Sequence, residues 1–218
     1  MKIAHYVPAY NQMLNANIVG QVAMDIASVS DAGHHWNWWS QHSCDLIAMR
    51  NGVLYKALDR GMDYLFMQDS DVYSTAPGGP VMRLIRTAQD TGATLTGAMV
   101  SMRTRPPRAN VWPCHPGEVF EADKIGTGMV LIDCNKVREW YADYKGPCFQ
   151  RVYTDDKCVE PKVGSDIFFS YVVRQHGGLI VCDGTVPTVH VDATAPLPYD
   201  GETAPNAADT ADEATRAA

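Results

Sequence analysis

The sequence predicts an α/β fold, a mostly parallel central sheet flanked by helices in a single domain. Short apolar strand-like runs alternate with longer runs of helical periodicity, in the order β-α-β-α-β-α-β. The connections are of βαβ length, which implies a largely parallel sheet covered on both faces. Hydrophobic residues make up 46 % of the 218 and charged residues 20 %, enough apolar material for one core.

The elements follow in chain order. Ile3 to Val7 reads as a short apolar strand stopped by Pro8. Ala16 to Ser28 has helical periodicity through Ile18, Val22, Ile26 and Val29. The aromatic run HHWNWWS, 34–40, suits a strand or a packed loop. Ser43 is placed to N-cap a helix to about Arg60, which Gly61 closes. Its inward stripe is Leu46, Ile47, Val53, Leu54, Ala57 and Leu58. Asp63 to Met67 reads as a core strand that runs into Gln68-Asp69-Ser70-Asp71, then a Pro- and Gly-rich turn at 77–80. A helix over 81–91, Gly92 and a strand over 94–100 follow.

Residues 101–118 are loop-like, with four prolines. A strand carrying two glycines is expected over 125–132, a short helix over 135–141 and a strand over 148–153. Ser165 can cap a helix to Gln175 that Gly177-Gly178 stops. Leu179 to Cys182 is the last clear strand, and Val186 to Val191 is extended and holds His190.

From Pro196 the chain is Ala, Asp, Glu, Thr and Pro with almost no large side chains, a composition that cannot offset the entropy of ordering it. The expected division is a folded unit over 1–195 and a flexible acidic tail over 196–218. Asp200, Glu202, Asp209, Asp212 and Glu213 against Arg216 give the tail −4 of the formal −7, leaving −3 on the body. A globally basic nucleic-acid clamp is excluded by that balance, a local basic patch is not. No apolar run is long enough to span a membrane and no secretion signal is legible, so the expected location is cytoplasmic. The six cysteines show no C-x-x-C spacing and read as free thiols, with a Cys148–Cys158 bridge as the alternative.

Three positions carry chemistry. Asp69-Ser70-Asp71 lies beyond the C-terminal end of a buried strand, where open α/β sheets bind ligands. Two carboxylates one residue apart converge on a hard cation or divide between a cation and a ribose. Asp166 stands at a helix start and His190 on a late extended run. Taken singly, Asp166 reads first as a helix-cap residue and His190 as a packed or surface histidine. An imidazole would complete a site for Mn²⁺.

Taken together, and over residues 1 to about 192, these segments resemble a small nucleotide-sugar glycosyltransferase of the GT-A fold, of the family-2-like group common in bacteria and their phages. The opening YVPAYNQ resembles the strand and loop that hold the nucleotide base, and Met49-Arg50-Asn51 the group's "aRN" segment. Asp69-Ser70-Asp71 matches its DxD motif. Gly126-Thr127-Gly128-Met129 resembles the "GtGfmL" strand, and Gly164 to Phe169 the "gEDvdFc" motif. Ser165 stands where that motif has Glu, so the acidic pair is halved.

The resemblance implies a Rossmann-like GT-A core and a metal-dependent transfer of sugar from a nucleoside-diphosphate sugar to an acceptor hydroxyl. It implies Mn²⁺ or Mg²⁺ as cofactor, held by Asp69, Asp71 and His190. Pro8, Tyr10, Asn11, Arg50, Asp69 and Ser70 would hold the donor, and Asp166 would be the catalytic base of an inverting reaction. A retaining reaction would not need that base. A degenerate binding module or a nucleotidyltransferase are the alternatives. The latter wants a Gly-rich, Lys-containing loop after the first strand, and YVPAYNQ supplies none. The acceptor is left open among glycan, protein, lipid and modified DNA base. Nucleic acid would meet the chain through Arg103, Arg105 and Arg108. Trp36, Trp38 and Trp39 read as core or interface, which leaves a homo-oligomer open.

Overall fold

The fold is that of a computed structural model, which describes residues 1–8, 16–41, 45–102, 108–153 and 161–191. Its elements are β1 (Lys2–Pro8), α1 (Ala16–Asp31), β2 (His35–Gln41), α2 (Leu46–Asp59), β3 (Tyr64–Gln68), β4 (Val72–Ser74), α3 (Val81–Thr91) and β5 (Leu95–Ala98). There follow β6 (Val111–Trp112), β7 (Val119–Glu121), β8 (Lys124–Ile125), β9 (Met129–Asp133), α4 (Cys134–Tyr144), β10 (Val152–Tyr153), β11 (Pro161–Val163), α5 (Ser165–Gln175), β12 (Ile180–Asp183) and β13 (Thr188–His190).

Seven strands form one sheet in the order β2-β1-β3-β9-β5-β12-β7. β1 runs parallel to β2 and β3, and β12 parallel to β5. β9 is antiparallel to both β3 and β5, and β7 to β12. Five strands therefore point one way, with β9 inserted against them and β7 closing one edge. The predicted α/β class holds, in a Rossmann-like, GT-A-like arrangement with a mixed rather than purely parallel sheet.

Alternation along the strands sends successive side chains to opposite faces. Leu65 and Met67 of β3 join one cluster with Val130 and Ile132 of β9, beneath Val53, Leu54 and Ala57 of α2 and Phe169 of α5. Phe66 joins the other with Leu131, beneath Leu84 and Ile85 of α3. Each such buried side chain contributes about 1.5–3 kcal/mol through removal from water.

Local signals explain the helix ends. Asp45 caps α2, its Oδ1 accepting from the amides of Ile47 and Ala48 at 2.9 and 3.1 Å. The expected Ser43 cap lies outside the described residues. Asp133 caps α4 in the same way, so that helix starts at Cys134 and runs to Tyr144, longer than expected. Gly92 closes α3 with φ +71°, a left-handed conformation that costs glycine little.

Several local expectations are corrected, and β4 and β7 appear where no strand was expected. The 125–132 strand breaks at residues 126–128 into β8 and β9, because Gly126 turns back to bond Asn110. The segment after Asp71 is not wholly turn: β4 pairs antiparallel with β13. The 101–118 stretch expected as loop contains β6, residues 119–121 form β7 immediately after it, and the strand expected over 148–153 is confined to β10. The buried face of α1 is Ile18, Gln21, Asp25 and Val29, while Ile26 is exposed. The helix turns two polar side chains inward, because polar atoms of β1, β3 and β4 lie beneath it.

No described helix is long and apolar enough to cross a membrane. Cys114, Cys134, Cys148 and Cys182 are free thiols. The expected tail, 196–218, lies outside the described residues.

Candidate functional site

β3 ends at Gln68, and the next residue, Asp69, leaves the sheet between β1 and β9. Its amide donates to Gly128 O at 3.0 Å, extending the β3–β9 pairing by one residue and fixing where the acidic turn begins. Pro8 ends the neighbouring parallel strand β1 at the same edge. Val72 N donates back to Asp69 O at 3.2 Å, so Asp69-Ser70-Asp71 forms a closed turn.

Arg50 comes to this turn from α2. The side chain is buried, and its two terminal nitrogens divide between elements. Nη2 donates to Asp69 Oδ1 at 3.2 Å, and Nη1 donates to Ser165 Oγ at 3.1 Å. Ser165, at the first position of α5, is therefore not a side-chain cap; Gly164 occupies the cap position, and the hydroxyl receives Arg50. One guanidinium thus ties the acidic turn to the helix start that carries Asp166.

Burial pushes the Asp69 carboxyl above its ordinary range; Arg50 opposes this, and the charges of Asp71 and Asp166 add to it. Among the described residues, three carboxylates so share one neighbourhood with one guanidinium. Asp166 lies over Gly126: a Cβ there would meet its Oδ2 at 3.2 Å and the Cβ of Asn110 at 3.2 Å. The absence of a side chain at 126 lets Asp166 and Asn110 approach the backbone this closely.

His190 arrives on β13, paired opposite Val72 of β4. Its Nδ1 lies 2.7 Å from Ser101 O. A carbonyl only accepts, so Nδ1 carries the proton and Nε2 is turned toward Asp71 Oδ2, 3.4 Å away. A lone pair facing a carboxylate oxygen is favourable only with a cation between them, either a proton on Nε2 or a metal ion. A histidine whose other nitrogen is fixed by a carbonyl is the usual form of a metal-ligating imidazole. The donor pair Asp71 and His190 would suit Mn²⁺ in that respect, and would suit Mg²⁺, which prefers oxygen donors, less well. Among the described residues, no three His, Cys, Asp or Glu side chains gather into a ready-made cluster, and Asp69 is engaged by Arg50.

Ser101 also pairs with Ala109, and Met102 N donates to Arg108 O at 2.6 Å. The basic loop therefore leaves and returns at a closed base beside His190. Arg108 is exposed there, while Arg103 and Arg105 lie outside the described residues. Tyr10 and Asn11, expected at the base of the nucleotide, also lie outside them. Ser70 is half-buried between the two acids. Trp36 and Trp38 pack edge-on against His5, each at 5.0 Å. Trp39 lies under Lys56 at 4.5 Å.

Asn110 is a residue that sequence reasoning missed. Its Oδ1 accepts from Val100 N at 2.8 Å and its Nδ2 donates to Gly126 O at 3.2 Å, joining the basic loop to the glycine under Asp166. An isolated Asn in a Pro-rich loop gives no sequence signal for this.

The arrangement is a mixed α/β sheet covered on both faces. No protein-family model matches the chain, and no curated protein sequence matches it. Among solved structures, A197 from STIV is similar at a TM-score of 0.56 and 15 % identity, over 87 % of this chain and 85 % of that one. A glycosyltransferase involved in glycosylation of the major capsid of PBCV-1 is similar at a TM-score of 0.46 and 12 % identity, over 88 % and 94 %. A mutant Drosophila β1,4-galactosyltransferase 7, in complex with manganese, UDP-Gal and xylobiose, reaches 0.45 at 12 % identity, over 87 % and 70 %. At these identities the likeness to A197 shows the fold, and the two weaker ones add nothing to it.

Proposed function

We propose that the protein is a metal-dependent glycosyltransferase that moves a sugar from a nucleoside-diphosphate sugar to an acceptor hydroxyl. The observation that carries this reading is the approach of His190 Nε2 to Asp71 Oδ2 at 3.4 Å, beside a carboxylate group served by one guanidinium. A divalent cation held by Asp71 and His190 would supply positive charge to a departing diphosphate. Asp69, held by Arg50, would meet the ribose or a cation-bound water. Arg50 keeps Asp69 in place while its own charge faces the diphosphate region.

Asp166 is the base in this reading. As the acceptor oxygen forms its bond to the anomeric carbon, the bond to the diphosphate breaks and the hydroxyl proton passes to the Asp166 carboxylate. Ser165, in place of a second acid, leaves Asp166 to act alone. Arg108, with Arg103 and Arg105 of the same basic stretch, would meet phosphate or a charged acceptor. Transfer to a nucleic-acid acceptor would weaken steeply with salt, and transfer to a glycan or protein would not.

The test is turnover of UDP- and GDP-sugars, by hydrolysis or transfer, with and without Mn²⁺. Turnover should require the ion and vanish in Asp71→Ala. Retained Mn²⁺-dependent turnover in that variant refutes the ligand assignment. Donor binding without any turnover would favour a binding module.

A further inference from the structure

Behind the acidic turn lies a buried polar chain that the proposed reaction does not use. Gln68 and Gln21 are 1 % exposed, and His5 and Asp25 are fully buried. The two glutamine amides bond each other reciprocally: Gln21 Nε2 donates to Gln68 Oε1 at 3.0 Å, and Gln68 Nε2 donates to Gln21 Oε1 at 3.2 Å. Backbone groups of β4 fix which way each amide points. Ser74 N donates to Gln21 Oε1 at 2.6 Å, and Gln68 Nε2 donates to Val72 O at 2.6 Å. An N–H only donates and a C=O only accepts, so neither amide can flip without breaking these bonds.

The chain is anchored at both ends. Gln68 Oε1 also accepts from His5 Nε2 at 2.9 Å, wedged among Trp36, Trp38 and Phe66. Gln21 Nε2 also donates to Asp25 Oδ2 at 3.1 Å, and Asp25 Oδ1 accepts from Val81 N at 3.1 Å at the start of α3. A Cβ on Gly79 would stand 2.1 Å from Asp25 Oδ1, so the backbone closes directly over that carboxyl.

Both β4 residues held in this way flank the chemistry. Gln68 and Val72 bracket Asp69-Ser70-Asp71, and the Gln68 side chain spans that turn from end to end. Val72 is the register partner of His190, and Ser74 of Thr188. Val191 N donates to Asp71 O at 2.8 Å, closing the same unit from the other strand.

Resting on the reading of Asp71 and His190 as cation ligands, we propose that Gln21 and Gln68 are positioning residues. Their paired amides hold β4 against α1 and so set the distance between those two side chains. The amides touch neither the cation nor a substrate. They act through β4 alone, in the way outer-shell partners orient metal ligands.

The probe is Mn²⁺ alone, titrated into the full chain and followed by loss of the free-ion electron-spin-resonance signal. Gln21→Met and Gln68→Met, unbranched and close in volume, should each weaken Mn²⁺ binding about tenfold. Because the two amides act as one unit, the double variant should lose no more than either single one. Cooperative thermal unfolding of each variant shows that it is folded under the assay conditions. Should either Met variant not fold, Gln68→Asn retains an amide but is too short to bridge to Val72, and should show the same loss. Affinity within twofold of wild type in the folded variants overturns the proposal.

A metal-free measurement separates this inference from the cation reading. Amide exchange at Val191, which reports its bond to Asp71, should accelerate at least tenfold in Gln68→Met, with Leu131 of β9 unchanged. If wild-type protein binds no Mn²⁺, or binds it equally after Asp71→Ala, the cation reading fails. Unchanged Val191 protection then overturns positioning as well, and accelerated exchange upholds it.

Discussion

His5 and Asp25 lie at opposite ends of one buried chain, and burial moves their acidities in opposite directions. Burial, against its bond from Gln21, raises the Asp25 carboxyl from 3.8 to about 7. Burial, against its bond to Gln68, lowers the His5 imidazole from 6.5 to about 3. Between pH 4 and 7 the folded chain keeps an Asp25 proton that the unfolded chain has lost, so this group's contribution to stability falls as pH rises and is gone above about 7. Between pH 6.5 and 3 the unfolded chain gains a His5 proton that the folded chain refuses, so that contribution falls as pH drops. The ceilings are about 4 and about 5 kcal/mol, at about 1.4 kcal/mol for each tenfold change in proton affinity. In the shared window, pH 4–6.5, the two slopes oppose and nearly cancel. Asp25→Asn removes one of them. Urea unfolding at pH 4.5 and 6.5 should show the stability of the variant relative to wild type rising by about 2.5 kcal/mol between those pH values. Any fixed cost of placing an Asn amide against Gln21 cancels in that difference. A change below about 1 kcal/mol would refute the assignment of Asp25 as a buried, proton-holding carboxyl.

Two further outcomes follow from the site. Arg50→Met strands Asp69 and Ser165 together; with Asp69 partly exposed, the loss should fall between that of a surface pair and a fully buried one, about 1–2 kcal/mol by chemical denaturation. Donor turnover should fall with it, and unchanged turnover would remove Arg50 from the site. Gly126→Ala puts a methyl 3.2 Å from Asp166 Oδ2 and from Asn110 Cβ. Turnover should drop about tenfold or more while the melting temperature moves by no more than about 4 °C; full activity would show that Asp166 does not use that space.

Much of the fold is legible because binary patterning and capping agree over long stretches. The run YLFMQ has no residue to pull it out of a sheet, and α3 shows both its apolar stripe and the glycine that ends it. What was not legible depends on pairing across the chain. β4 is three residues long and owes its existence to β13, more than a hundred residues away. The break between β8 and β9 is set by Asn110, whose bonds reach Val100 and Gly126. Neither leaves a periodic trace, so no local rule could find it.

The acidic turn, the histidine and the helix-start aspartate were legible by type and order, but their linkage was not. Nothing in the sequence says that Arg50 reaches Ser165, or that Nδ1 of His190 is claimed by Ser101. The clearest misreading is also the most informative. Periodicity assigned Val22 and Ile26 to the buried face of α1, and the fold buries Gln21 and Asp25 instead, exposing Ile26. A helix that turns an amide and a carboxyl inward at the expense of an isoleucine loses the local hydrophobic gain. That loss is recovered only if the polar groups are fully bonded, and they are, to Gln68, Ser74 and Val81. Where local preference and global fold disagree in this way, a function commonly sits nearby. Here the disagreement lies directly beneath the turn that carries Asp69 and Asp71.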